Sequence, residues 1–238
     1  MIIEKLPEIL LGLVFPPICP VCGDIAPAGR DICPECAGRL CYADEPYCMK
    51  CGKPVEEYEE YCSDCAERGH VYDEGRAVFV YDEYMSKSIY RFKYNGKREF
   101  ASFYGRVMAE RLGRKIESWN ADVIVPVPVH KSKMKTRGYN QAGLIAKELS
   151  KRCRIPVRSD LVSRKRATAV QKELGAASRQ NNLKKAFNVT PNVVKYKTVL
   201  IVDDIYTTGA TVDALAGCLK GAGIEKVYFA TLCIGRGN

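Results

Sequence analysis

The chain is 238 residues long, with 47% hydrophobic residues and 37 Lys/Arg against 28 Asp/Glu, a formal net charge of +9. That length holds one medium domain and something small. The longest apolar run, Ile9 to Phe15, ends at Pro16-Pro17 and is far short of the ~20 residues a membrane span needs; Glu4 and Glu8 stand where a secretory leader carries basic residues, so neither a membrane span nor export is expected and the cytoplasm is the expected location.

The charge is unevenly spread. Residues 1–70 carry 6 Lys/Arg and 13 Asp/Glu, net −7, which leaves 31 basic and 15 acidic residues, net +16, for residues 71–238. A segment that basic can attract a polyanion, or simply stay soluble. In chain order, the apolar run before Pro16 reads as a short amphipathic helix covering a cysteine-rich module. Nine of the twelve cysteines fall before residue 66, and eight form a pattern: Cys19-x-x-Cys22, Cys33-x-x-Cys36, Cys48-x-x-Cys51 and Cys62-x-x-Cys65. The second set repeats the first 29 positions later, and Gly23/Gly52 and Ala37/Ala66 match too. This is an internal duplication. Two thiolates two residues apart clasp one ion from a tight turn, and two such turns complete a four-thiolate zinc site. A disulfide framework would need an oxidising compartment. Two structural Zn2+ ions are therefore expected, with iron–sulfur as the minor alternative, the ligands paired sequentially (Cys19/Cys22/Cys33/Cys36 and Cys48/Cys51/Cys62/Cys65) or cross-braced. Cys41 reads as packing, and His70 as a surface linker residue. The composition changes around 66–75, which divides the chain into a zinc-binding module, 1–70, and a larger domain, 71–238.

Ala77 to Tyr81 reads as a strand, and Tyr84 to Phe92 as a helix leading into Lys93-Tyr94-Asn95-Gly96-Lys97-Arg98. That basic, aromatic turn suits a phosphate backbone and a stacked base, or is a solvated loop. Phe100, Phe103, Tyr104, Val107, Met108, Leu112 and Ile116 trace one helical face. Asp122 to Val129 is the next strand, its prolines pointing to an end. His130 to Gly138 comes next as a flexible loop with Lys131, Lys133, Lys135 and Arg137, cations able to hold a pyrophosphate or merely solvated. A helix succeeds it with Ala142, Ile145, Ala146 and Leu149 inward, then a strand over 156–163. Between Arg164 and Phe187 the sequence is polar and basic with little periodicity, as in lids and binding loops. The last strand spans Val227 to Ile234. Cys153, Cys218 and Cys233 read as packing thiols.

The stretch Val199 to Thr211, VLIVDDIYTTGAT, organises the rest. Val199 to Val202 signal a buried strand, Asp203-Asp204 follow, then a turn of small and hydroxyl residues, then Val212, Leu215, Leu219 and Ala222 at helical spacing. A P-loop would need a lysine after Gly209, and a dinucleotide fingerprint would need Gly-x-Gly-x-x-Gly; neither is present. An ordinary turn capped by threonine stays open. So does an anion site, since a helix N-terminus offers free N–H donors and a positive dipole end. The carboxylates suit sugar hydroxyls or a cation travelling with a phosphate. The stretch resembles the phosphoribosyl pyrophosphate (PRPP) motif of type I phosphoribosyltransferases. That resemblance implies ribose hydroxyls on Asp203 and Asp204, directly or through Mg2+, and the 5′-phosphate on Thr207, Thr208, Gly209, Ala210 and Thr211.

Further stretches carry a wider resemblance: Leu13-Val14-Phe15-Pro16-Pro17, Phe92-Lys93-Tyr94-Asn95-Gly96-Lys97, Arg137-Gly138-Tyr139-Asn140-Gln141-Ala142, Arg166-x-Thr168-x-x-Gln171, and Arg179-x-x-Asn182-Leu183-Lys184-x-Ala186-Phe187. Together they resemble the ComF family of bacterial competence proteins, including GntX-like members. The resemblance implies an α/β fold, a type I phosphoribosyltransferase-like parallel sheet flanked by helices and preceded by a zinc module. It implies PRPP with Mg2+ between Lys131 and Arg137 on one side and the acidic pair on the other, under a loop carrying Arg164, Arg166, Thr168, Gln171 and Arg179. It also implies a role in natural transformation, where imported single-stranded DNA is handled; the net +16 segment, with Lys93, Lys97, Arg98, Lys131, Lys133 and Lys135, is expected to bind that strand. Three functions are compatible with it: a DNA-binding competence factor that retains PRPP binding, favoured here; an active transferase of unknown acceptor; and a zinc-mediated adaptor for a DNA-uptake helicase or recombination proteins. No catalytic base is named by the sequence.

Overall fold

The computed structural model describes residues 16–164 and 186–236. The amphipathic stretch before Pro16 and the loop residues Arg166, Thr168, Gln171 and Arg179 lie outside them. Two short helices, α1 (Pro34–Ala37) and α2 (Ser63–Glu67), belong to the cysteine module. Then come β1 (Glu74–Val80), α3 (Glu83–Tyr94), α4 (Phe100–Ser118), β2 (Val123–Pro126), α5 (Lys131–Arg137) and α6 (Gln141–Cys153). The chain ends through β3 (Val162–Arg164), β4 (Phe187–Val189), a 3-10 turn at Pro191–Lys195, β5 (Thr198–Tyr206), α7 (Ala210–Gly221) and β6 (Lys226–Ile234).

Four strands form one parallel sheet in the order β1-β6-β5-β2. Its central strands are near-continuous apolar runs because both faces are covered. Side chains alternate across a strand. Val199 and Ile201 join one buried cluster with Val212, Leu215 and Leu219 of α7. Leu200 and Val202 join the other, with Ile89 and Phe92 of α3, Tyr104 and Met108 of α4, and Ile145 and Leu149 of α6. Each fully buried aliphatic or aromatic side chain contributes about 1.5–3 kcal/mol, so the sheet is fixed from both sides by packing.

Three elements differ from the sequence reading. The expected strand over Asp122–Val129 stops at Pro126, because proline removes a ladder donor; Val157 makes only an isolated bridge to Ile124 on its outer side. The stretch 156–163 therefore adds no strand to the parallel sheet; its end pairs as β3 with β4 in a separate two-stranded antiparallel ribbon. The basic stretch after β2, expected as a flexible loop, is the helix α5. The His130 ring accepts from Ser132 N at its start, and Gly138, at φ 75°, ends it. A left-handed residue there closes the helix, as glycine does most cheaply.

The duplication is visible backbone bond by backbone bond. Ile18 pairs with Ile25 and Tyr47 with Pro54, 29 residues on. Gly23 N donates to Cys19 O and Gly52 N to Cys48 O, both glycines at positive φ. The two copies dock differently. The second is continuous with the core beneath α7, through Cys48, Cys51, Cys62 and Tyr72. The first has its own small cluster packed on Tyr84 of α3, and the Arg91 guanidinium of that helix donates to the carbonyls of Val21 and Cys22.

Candidate functional site

Strand β5 runs past the acidic pair to Tyr206, further than the four apolar residues suggest. Period-two alternation therefore sends Asp203 toward the α7 face and Asp204 toward the α3 face. Asp204 N donates to Asp203 Oδ1 at 2.8 Å. Lys93, from the last turn of α3, places its Nζ 2.9 Å from both Asp204 Oδ1 and Oδ2. The charge of the larger segment groups Lys93 with the DNA-facing cations; here its side chain is 17% exposed and paired. Burial, reinforced by the charge of Asp204, pushes the Asp203 carboxyl up to about 7, while Lys93 and Arg164 pull it partly back.

After Tyr206 the chain turns through Thr207 and Thr208, both exposed, to Gly209. Gly209 sits at φ 77°, and a Cβ there would lie 2.5 Å from the Tyr206 hydroxyl. Both facts require glycine. Gly209 is also the N-cap of α7, which begins with no side-chain cap. The threonine-capped turn is thereby set aside: the cap is glycine, and among the described residues no hydroxyl bonds the first turn, so its N–H groups are free of side-chain caps behind the acidic pair. Ala210 and Thr211 open the helix itself.

Strand β2 lies beside β5 and parallel to it, and Val127 N donates to Val202 O at 2.9 Å. The segment after β2 therefore leaves from the same edge of the sheet as the acidic pair, where open α/β sheets bind ligands. Lys131, Lys133 and Lys135 are exposed on α5. Arg137 is partly committed: Nη1 donates to Gln141 Oε1 at 3.1 Å and Nη2 to the Tyr94 hydroxyl at 3.0 Å. Arg98 donates to Gly138 O at 3.1 Å and lies over the Tyr139 ring. The two family-like stretches around Lys93 and Arg137 are thus interlocked at one edge. Lys97 faces Glu99 at 3.6 Å. Tyr90 and Tyr94, 60% and 53% exposed, hold their ring centroids 4.9 Å apart on α3. The Arg137 guanidinium holds the Tyr94 hydroxyl below its usual range, with Lys93 and Lys133 adding to it.

The eight cysteines gather sequentially: Cys19, Cys22, Cys33 and Cys36 in one group, Cys48, Cys51, Cys62 and Cys65 in the other, with all sulfurs of a group within 4.8 Å of one another. The cross-braced option is set aside. Four converging, mostly buried thiols fit a tetrahedral Zn2+ with no open position. In the second group the Cys48 thiol is pulled down by hydrogen bonds from Cys51 and Cys65, while those two are pushed up.

His70 is not a surface residue. Its side chain is 3% exposed, and Nδ1 pairs with Asp213 Oδ2 at 2.5 Å in the first turn of α7. Val71 N donates to Asp213 Oδ1 at 2.8 Å, and the hydroxyls of Tyr72 and Tyr206 lie 2.7 Å apart. These links from the linker to the turn around Gly209 have no signal in the sequence, since their partners are more than 130 positions apart. Among the described residues no helix is long and apolar enough to cross a membrane.

A parallel sheet covered on both faces, with an acidic pair and an uncapped helix N-terminus at its carboxyl edge, defines a phosphoribosyltransferase-type domain, and a duplicated four-cysteine unit precedes it. The phosphoribosyl transferase domain family matches residues 105–238 and the double zinc ribbon domain family residues 10–66. The chain belongs to the ComF family of competence and DNA utilization proteins. It is 30% identical over 210 residues to Competence protein F of Haemophilus influenzae, covering 86% of this chain and 91% of that one. It is 31% identical over 225 residues to the DNA utilization protein YhgH of Escherichia coli, covering 93% and 98%. It is 27% identical over 208 residues to Competence protein ComFC of Bacillus subtilis, covering 81% and 79%.

Proposed function

We propose that this chain is a cytoplasmic competence protein acting in DNA uptake, with a domain that binds PRPP and a basic surface that binds single-stranded DNA. The observation that carries the PRPP reading is the uncapped start of α7 behind Asp203 and Asp204. Thr207, Thr208, Gly209, Ala210 and Thr211 hold the 5′-phosphate by N–H and hydroxyl donors. Asp203 and Asp204 accept from the ribose hydroxyls. Lys131, and Arg137 once it is released from its protein partners, meet the pyrophosphate. Mg2+, when bound with PRPP, neutralises the pyrophosphate charge. Turnover would need an acceptor and a base, and no described residue is assigned either role. A hydrogen bond to a charged group contributes roughly 1.5–3 kcal/mol, so losing one weakens binding about tenfold to a hundredfold. Calorimetry with PRPP and Mg2+ should show binding to wild type and a loss at least that large in the Asp203→Ala/Asp204→Ala double variant. No wild-type binding, or unchanged binding by the double variant, removes the reading.

The DNA reading is supported by Tyr90 and Tyr94, an exposed aromatic pair beside Arg137 and Lys133. Sequence-tolerant single-strand binders combine such rings with cations. Binding of an oligo-dT strand should fall with salt by about 0.7 log units per log unit for each phosphate contacted. Tyr90→Ala/Tyr94→Ala should weaken binding without changing that slope. A flat salt response refutes the reading.

A further inference from the structure

Both oxygens of Asp204 are already engaged. Lys93 Nζ stands 2.9 Å from each, and the two side chains are only 17% and 13% exposed. An ordinary acidic pair at a strand end would recruit a divalent cation to relieve the repulsion of two neighbouring carboxylates. Here the chain brings its own cation, from 111 positions upstream. Lys93 is not free to drift. It follows Phe92, which is fully buried and whose carbonyl accepts from the Tyr139 hydroxyl, and it precedes Tyr94, whose hydroxyl accepts from Arg137. The ammonium is thus held at Asp204 by a backbone whose neighbours on both sides are tied to Arg137 and Tyr139.

We propose that Lys93 is the resident counter-cation of the acidic pair and a ligand-positioning residue, so that Asp203 and Asp204 receive ribose hydroxyls with no bridging divalent ion. The proposal rests on the PRPP reading above. The Asp204 carboxylate stays oriented by Lys93 before ligand arrives, while Asp203 is held by the backbone N–H of Asp204, and any divalent ion enters with the pyrophosphate alone.

Ribose 5-phosphate separates these parts, because it carries the ribose and 5′-phosphate but no pyrophosphate to bring a metal. Calorimetry in Mg2+-free buffer and in Mg2+ should give the same wild-type affinity for it. Lys93→Met should weaken ribose 5-phosphate binding about tenfold or more without Mg2+, and added Mg2+ should restore part of that loss. Lys93→Arg should keep the Mg2+-independent binding. Should Lys93→Met fail to fold, Lys93→Gln, which keeps a hydrogen-bond donor to Asp204 without the charge, takes its place with the same expected loss and the same partial rescue by Mg2+. A merely structural ion pair would change the melting temperature and leave the affinity alone. Wild-type binding of ribose 5-phosphate that requires Mg2+, or unchanged binding by Lys93→Met, overturns the proposal while the PRPP reading stands. A wild type that binds neither PRPP nor ribose 5-phosphate takes both down.

Discussion

Asp203 is the residue whose ionisation matters most at the site. Burial, then the charge of Asp204, raises its carboxyl to about 7, against an ordinary value near 3.9. An acid raised in the fold keeps a proton that the unfolded chain has lost, so from about pH 4 to pH 7 the native state binds more protons and stability falls as pH rises. Ligand binding has the opposite sign. Hydroxyl donors prefer the carboxylate, so affinity for ribose 5-phosphate should increase as pH rises through about 7, then level off. Asp203→Asn should flatten that increase, and calorimetry at pH 6, 7 and 8 on both proteins measures it; the variant also subtracts the titration of the ligand's own phosphate. Gly209 is a residue of another kind: its need for positive φ could be read from its place in the motif, but the Tyr206 hydroxyl beneath it could not.

At the scale of elements, α4 meets α6 at Gly105. A Cβ there would lie 2.3 Å from Glu148 Cβ, whereas at Gly113 of the same helix nothing lies within 4 Å. Replacing a helical glycine by alanine gains roughly 0.8–1.0 kcal/mol of propensity, and overpacking costs about 1–3 kcal/mol. Gly113→Ala should therefore stabilise by up to about 1 kcal/mol and Gly105→Ala should destabilise, as urea unfolding will measure. The elements also show what the sequence could and could not tell. The 29-residue repeat and the β5 turn were legible because they are local patterns of one residue type or one hydrophobic run. Helix α5 was not, because Lys131–Arg137 offers only Met134 as an apolar residue and so has no face to detect. The far half of β5 was missed because aspartates within a strand read as its end. Lys93–Asp204 and His70–Asp213 were invisible for a third reason: a pairing across more than 110 positions leaves no periodicity.

At the scale of the whole molecule, the two copies of the cysteine unit have taken opposite sides. One lies with the core under α7, the other against α3. Elemental analysis should give close to two zinc ions per chain. Substituting Cys33→Ser should loosen the copy on α3 and spare PRPP binding, whereas Cys62→Ser should weaken it, because Tyr72 and His70 lead from that copy to Tyr206 and Asp213. PRPP calorimetry on both variants decides between coupled and separate behaviour. On the coupled outcome, the split of charge near residue 70 is a seam in composition that the folding energetics do not respect. Heat or chelator acting on the second copy should be felt by the transferase-like sheet as one event, a single calorimetric transition with merged enthalpies. A chain cut to begin at residue 71 should melt earlier than the intact protein, like an arch that has lost its abutment.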